Sequence, residues 1–208
     1  PRAKLEATRA LGADVVLYDR PGGEDRDAVA AALVAERGAT LVHAFADPWV
    51  IEGQGTVAIE AVAQLRAATG ETPHRFIACC GGGGLSSGIA LACPDAEIVA
   101  VEPEGWDDVG RSLADGVIRR AEAGAPPTLC DALQTPQTYA INFAVLQARG
   151  VKGVVVTRKE VRAAMRLAFD RLHLVIEPGG AAALAAVLAG KVALGQVPMV
   201  TLSGGNVD

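Results

Sequence analysis

One stretch restricts the fold of this chain more than any other. The apolar run Phe76-Ile77-Ala78-Cys79-Cys80 passes directly into four glycines, Gly81-Gly82-Gly83-Gly84, and then into an apolar helical pattern from Leu85 to Ala92. A buried strand, a glycine turn and a helix in that order predict one βα unit of a parallel sheet. The same order suits an anion. Glycine turns through backbone conformations barred to other residues. Where side chains are missing, backbone amides can approach a charged group, and the following helix adds free N–H groups and its positive dipole end. A flexible linker would not sit tightly between a buried strand and an apolar helix. Gly81 to Gly84 are therefore expected to cradle a phosphate. No Lys-Ser/Thr pair follows them, which argues against a P-loop, and the spaced glycines of a dinucleotide fingerprint are absent.

The rest of the chain repeats the alternation. Lys4 to Leu11 reads as a short helix and Asp14 to Tyr18 as a strand. A turn follows at Pro21-Gly22-Gly23, then a helix from Asp25 to Arg37 and a strand from Thr40 to Phe45. Asp47-Pro48 marks a break, and Gly53-Gln54-Gly55-Thr56 is expected to open a helix that runs to Gly70. Further strands are expected at Glu97 to Val101, Val154 to Val156 and Met199 to Leu202. Thr157 with Glu160 forms a capping-box pattern that opens a helix ending near Leu172, and another helix is expected at Ala181 to Leu188. Arg111 to Gly150 is harder to parse. Strands alternating with helices imply an α/β fold, a parallel twisted sheet with helices on both faces. Ligands of such sheets collect at the carboxyl ends of the strands.

Composition narrows the function. The 208 residues are 50% hydrophobic, enough to bury a substantial core. Net charge is -5 and aromatics are 4%, with no basic run, so nucleic acid is not an expected partner. No apolar stretch approaches the roughly 20 residues that a membrane helix needs, and no membrane association is expected. Cys79, Cys80, Cys93 and Cys130 form no Cys-x-x-Cys pair and read as reduced buried thiols of a cytoplasmic protein. The chain starts at Pro1 and stops at Asp208 directly after a strand-and-glycine pattern. A longer natural protein is expected.

Five stretches together resemble a known family. Lys4-Leu5-Glu6-Ala7-Thr8-Arg9, Gly53-Gln54-Gly55-Thr56, Gly81 to Leu85, Glu177-Pro178-Gly179-Gly180-Ala181 and Leu202-Ser203-Gly204-Gly205-Asn206 resemble the threonine dehydratase and serine racemase family. These are pyridoxal-phosphate enzymes of fold type II, related to the tryptophan synthase β chain, with two domains in the intact protein. The resemblance runs nearly end to end in the family's order. It implies that residues 1–46 are the remainder of a small domain and 47–208 a large cofactor-binding domain. It also implies roles. Gly81, Gly82, Gly83, Gly84 and Leu85 would bind the cofactor phosphate through backbone amides. Ser203 would hydrogen-bond the pyridine nitrogen, and Glu177 would lie near the ring. Metal-activated members of the family imply a magnesium or calcium site at Glu102, the Trp106 carbonyl and Asp108, whose oxygens suit such hard ions. The family's Schiff-base lysine has no counterpart here, and the resemblance places it before Pro1.

The implied activity is β-elimination of water from a small hydroxy amino acid such as threonine or serine, giving a 2-oxo acid and ammonia, in a homodimer or homotetramer. Three alternatives stay open. One is a serine or hydroxyaspartate racemase of the same family, one a synthase-like relative, and one a non-catalytic phosphate-ligand binding module. Against the synthases stand Glu177-Pro178-Gly179-Gly180 and the acidic loop after Val101. The loop Gln134 to Thr138 is shorter than the family's, and Ala132 stands where some relatives carry glycine near the ring.

Overall fold

A computed structural model describes residues 2–19, 22–122 and 124–207. Pro21 of the expected turn lies outside them. The chain divides into two units, one ending at His43 and the other spanning Ala44–Val207.

The first unit holds two helices, α1 (Arg2–Ala10) and α2 (Arg26–Arg37). Asp25 caps α2 by accepting from the Asp27 amide at 2.8 Å. Both expected strands are corrected here. Asp14 to Tyr18 and Thr40 to Phe45 pair with no strand among the described residues. A strand exists only through a ladder with a neighbour. These runs have none, and Leu17 and Val42 are left 63% and 68% exposed.

The second unit is built on a four-stranded sheet. Its strands are β1 (Arg75–Cys79), β2 (Glu97–Pro103), β3 (Lys152–Val156) and β4 (Pro198–Val200). They lie in the order β3-β2-β1-β4, all parallel. Its helices are α3 (Pro48–Thr69), α4 (Gly84–Ala92), α5 (Asp108–Asp115), α6 (Ala140–Ala148), α7 (Arg158–Leu167) and α8 (Ala182–Leu188). The central strands are apolar at nearly every position because both faces are covered. Ile77, Cys79, Val99 and Val101 pack with Val161 and Ala164 of α7 and the alanines of α8. Phe76, Ala78, Ile98 and Ala100 pack on the other face with Ala58 of α3, Ile89 of α4, Val109 of α5 and Leu146 of α6. Thr157 and Glu160 form the expected capping box at α7, with the Glu160 amide donating to Thr157 Oγ1 at 3.3 Å and the Thr157 amide to Glu160 Oε2 at 2.7 Å. After Leu167 the chain widens into a π turn at Ala168–Leu172.

The start of α3 is a second correction. The helix opens at Pro48, not at Gly53. Asp47 Oδ1 accepts from the amides of Trp49 at 2.8 Å and Val50 at 3.2 Å, and Pro48 takes the first helical position, where no amide hydrogen is needed. Gly53 and Gly55 therefore lie inside the helix. Gly55 is there because α3 crosses α4 backbone to backbone. A methyl group on Gly88 would lie 2.5 Å from both the Gly55 nitrogen and the Ile51 carbonyl oxygen. Gly88→Ala should therefore force the helices apart and destabilise the protein by about 1–3 kcal/mol. Gly53, with open space around it, is the control. Gly53→Ala should hold or raise stability, by up to about 1 kcal/mol. Thermal or urea unfolding of both variants checks this, and equal effects would rule out the close crossing.

Candidate active site

Strand order locates the site. From β1 the chain passes to β2 and β3 with α4, α5 and α6 on one face, then returns over the other face with α7 and α8 to β4, on the far side of β1. The winding reverses between β1 and β4. At such a switch point the helices diverge and leave a crevice beyond the carboxyl ends of the two strands. β1 runs out into Gly81 to Gly84, and β4 runs out into Ser203.

The glycine turn forms one wall. Gly83, at φ +97°, is the N-cap of α4, and no side chain caps this helix. The other two helices that follow strands on a short turn are closed. α7 has its Thr157–Glu160 box. Near the start of α5, the amides of Val109 and Gly110 donate to Glu102 Oε1 at 2.9 Å and Oε2 at 2.7 Å. Of these three helices, α4 alone keeps its N-terminal amides available for an external anion.

The turn is held from behind by groups that sequence patterns did not reveal. Thr138 Oγ1 donates to the Gly82 carbonyl at 3.0 Å. Asn142 Nδ2 donates to the Phe45 carbonyl at 3.0 Å and to Ser87 Oγ at 3.4 Å. The Phe45 ring lies against Gly82, so that a side chain on Gly82 would strike it, and Gly84 packs on the rest of Phe45. The ring meets Tyr139 edge-on, with centroids 5.5 Å apart. Gly81 to Leu85, Phe45, Cys79 and Thr135 line a cavity of about 210 Å³. Asn142 gave one advance signal, as a polar residue in the apolar run Ala140 to Leu146, and Thr138 gave none; both prove fully buried.

Glu177 and Ser203 adjoin each other. The Glu177 amide donates to the Gly204 carbonyl at 2.9 Å. Gly180 packs directly on the Ser203 backbone, and Gly204 on the Glu177 side chain, at separations that no β-carbon would permit. The Glu-Pro-Gly-Gly and Ser-Gly-Gly motifs thus need their glycines to lie together. Cys79 connects this wall to the cavity, since its sulfur is 3.8 Å from Ser203 Oγ.

The acidic loop stands apart, and none of its residues lines the cavity. Glu102, near the end of β2, and Asp108, at the start of α5, are fully buried. Burial, reinforced by Asp108, pushes the Glu102 carboxyl well above its usual range. Burial also pushes Asp108 up to about 7, and neither of its oxygens has a hydrogen-bond partner. Trp106 closes the loop by donating Nε1–H to the Pro126 carbonyl at 2.9 Å. All four cysteines are free and buried.

A larger cavity, about 430 Å³, lies between α3, α4 and α6 among Ile51, Ile59, Leu91, Ile141 and Val145. It is apolar apart from Glu52, and its lining comes from these helices. The smaller crevice is where polar groups converge.

A parallel sheet with an uncapped, glycine-headed helix at its switch point is an α/β arrangement whose crevice suits an anion. Residues 1–204 match the family model described as pyridoxal-phosphate dependent enzyme, and the chain belongs to that family. It is 37% identical to an L-threo-3-hydroxyaspartate ammonia-lyase of Pseudomonas sp, with all of this chain and 64% of the relative covered. It is 33% identical to a serine racemase of Dictyostelium discoideum, again over 100% of the chain and 64% of the relative. Among solved structures it resembles maize serine racemase, with a TM-score of 0.87 and 30% identity over 100% of this chain and 64% of that one. A threonine deaminase of T.th. is 42% identical, with a TM-score of 0.78 over 85% of this chain and 65% of that one. The chain thus spans just under two thirds of these relatives' length. The type II fold expected from the sequence is the one found.

The packing of Phe45 on Gly82 gives a test of the cradle. In the whole protein, Gly82→Ala should displace the ring and weaken pyridoxal phosphate binding by about tenfold or more, the scale of overpacking costs. Adding Phe45→Ala should recover part of the loss. Titration of the apoprotein followed by absorbance reads both. Unchanged affinity in Gly82→Ala would place the phosphate elsewhere.

Proposed function

We propose that the whole protein is a pyridoxal-phosphate-dependent ammonia-lyase that removes water from a small hydroxy amino acid, threonine or serine, and releases a 2-oxo acid and ammonia. The observation that carries this reading is the uncapped N-terminus of α4 facing a crevice that Ser203 and Glu177 adjoin. Bound there, pyridoxal phosphate supplies the electron sink that lets an α-proton leave an amino acid. The amides of Gly81, Gly82, Gly83, Gly84 and Leu85 would anchor its phosphate. Ser203 would donate to the ring nitrogen. A hydroxyl would not hold that nitrogen protonated as a carboxylate would, giving a weaker sink. Loss of a β-hydroxyl needs less carbanion stabilisation than transamination, so a weaker sink would suffice. Glu177 would lie near the ring. No lysine lines the cavity among the described residues. The chain spans 64% of its relatives' length, and we place the base that takes the α-proton in the remainder.

The named relatives include both ammonia-lyases and serine racemases, so the products decide. Incubating the whole enzyme with L-threonine, L-serine and L-threo-3-hydroxyaspartate should yield ammonia and the matching 2-oxo acid from at least one of them. Chiral chromatography showing the D-enantiomer without 2-oxo acid would make it a racemase instead.

The same reading assigns Glu102, the Trp106 carbonyl and Asp108 to a magnesium or calcium ion. The donor set fits, since it is all oxygen and the buried Asp108 carboxylate has no hydrogen bond of its own. No cluster of three or more His, Cys, Asp or Glu gathers among the described residues, so the carbonyl and water must complete the shell. Glu102 already serves the α5 amides, and each of its oxygens keeps a lone pair for a cation. Chelation should lower the thermal midpoint of the whole protein, and magnesium or calcium should restore it. Asp108→Ala should respond to neither step. A wild-type midpoint that ignores both would remove the ion from the account.

A further inference from the structure

Cys79 is the last residue of β1, two positions before the glycine turn. Its side chain lines the cavity while the residue is only 7% exposed. Its sulfur lies 3.8 Å from Ser203 Oγ, and Thr201, whose hydroxyl is buried with no hydrogen bond of its own, borders the same thiol. Two other thiols end on backbone. Cys80 donates to the Gly81 carbonyl at 3.5 Å and Cys130 to the Pro178 carbonyl at 3.4 Å. Among the described residues, Cys79 is the cysteine whose thiol meets the Ser203 hydroxyl.

That contact has a chemical consequence. A serine hydroxyl carries one hydrogen and two lone pairs and rotates freely. Ser203 is exposed, and nothing in its own loop decides where its hydrogen points. An S–H group donating from behind would occupy one lone pair and leave the serine hydrogen directed away from the sulfur. Burial pushes the Cys79 thiol up, and Glu177 adds to the effect, so the thiol keeps its hydrogen at neutral pH and remains a donor.

We propose that Cys79 is a positioning residue: its thiol donates to Ser203 Oγ and so fixes the serine hydroxyl as a hydrogen-bond donor toward the cofactor ring. This rests on the reading of Ser203 as the partner of the ring nitrogen. Cys79 itself touches neither substrate nor the reacting atoms. A purely structural Cys79 would tolerate any small side chain, whereas the positioning role requires a donor at that site.

The test uses Cys79→Ala, Cys79→Ser, Ser203→Ala and the Cys79→Ala/Ser203→Ala double variant in the holoenzyme of the whole protein. Three quantities are read: kcat, KM, and the position and pH dependence of the bound cofactor's absorption band. Cys79→Ala should lower kcat by about two- to tenfold, the worth of one neutral hydrogen bond, with KM unchanged. Its band should shift in the same sense as that of Ser203→Ala. The double variant should be no worse than Ser203→Ala alone, because the thiol acts through the hydroxyl. Cys79→Ser, which restores a donor, should restore both kcat and the band. An unshifted band and unchanged kcat in Cys79→Ala, additive losses in the double variant, or failure of Cys79→Ser to rescue would each overturn the proposal. If Ser203→Ala is itself silent, the reading of Ser203 fails first, which is a distinguishable result.

Discussion

The site depends on a reversal of winding in a sheet covered on both faces. β1 sends the chain out over the face of α4, and β4 receives it back from α8 on the opposite face. Two loops therefore meet beyond the strand ends with no helix packed between them. The crevice exists only if its walls come close, and they do so where side chains are missing. Gly180 rests on the Ser203 backbone, and α4 is drawn onto α3 where Gly88 meets Gly55. A β-carbon at either position would collide with backbone, so the packed segments would have to separate.

Polar groups in the interior set the shape of the crevice. Asn142 and Thr138 are fully buried in a layer otherwise made of Ile89, Val109 and Leu146. Burying an amide or a hydroxyl costs free energy unless hydrogen bonds replace water. Here the replacements are the Phe45 and Gly82 carbonyls, while Asn142 Oδ1 is buried with no hydrogen bond. These bonds tie α6 and the loop before it to Phe45 and to the turn. A small geometric demand at the glycines is thus met by side chains more than fifty positions away in sequence.

How much of this was legible in the sequence follows from the range of the interactions. The strand-glycine-helix unit at Phe76 to Ala92 and the Thr157–Glu160 box are local, and their residues state them outright. The apolar strands were legible because burial on both faces leaves little room for polar positions. The start of α3 was not, because Gly53 and Gly55 look like helix breakers until α4 is known to cross at Gly55. The runs at Asp14 and Thr40 carry strand composition, but composition supplies no partner. Phe45, Asn142 and Thr138 went unrecognised because they reach the glycine turn only through the fold. Glu102 was read as a metal ligand from its place after a strand. Its bonds to the α5 amides depend on a helix that starts at Asp108, where the sequence was read as an acidic loop.

Those bonds also bear on how the crevice can favour an anion beside two buried acids. Among the described residues no charged side chain lines the cavity, so within this chain an anion there would meet only backbone amides, hydroxyls and the dipole of α4. Such a helix end is worth about 0.3–1 kcal/mol at a surface and up to about 2 kcal/mol when partly buried. Glu102 and Asp108 lie close enough to raise the Cys80 thiol, after burial the largest influence being Glu102. In charged form they would oppose an anion there, but burial pushes both acids up, Glu102 well above its usual range and Asp108 to about 7, which favours their neutral forms. The α5 N-terminus faces Glu102 and not the crevice. Two helix ends thus differ: α5 gives its first amides to the internal acid, and α4 is left uncapped at the crevice. A side-chain cap on α4 would satisfy its amides and close the anion site, and the four glycines before it provide none.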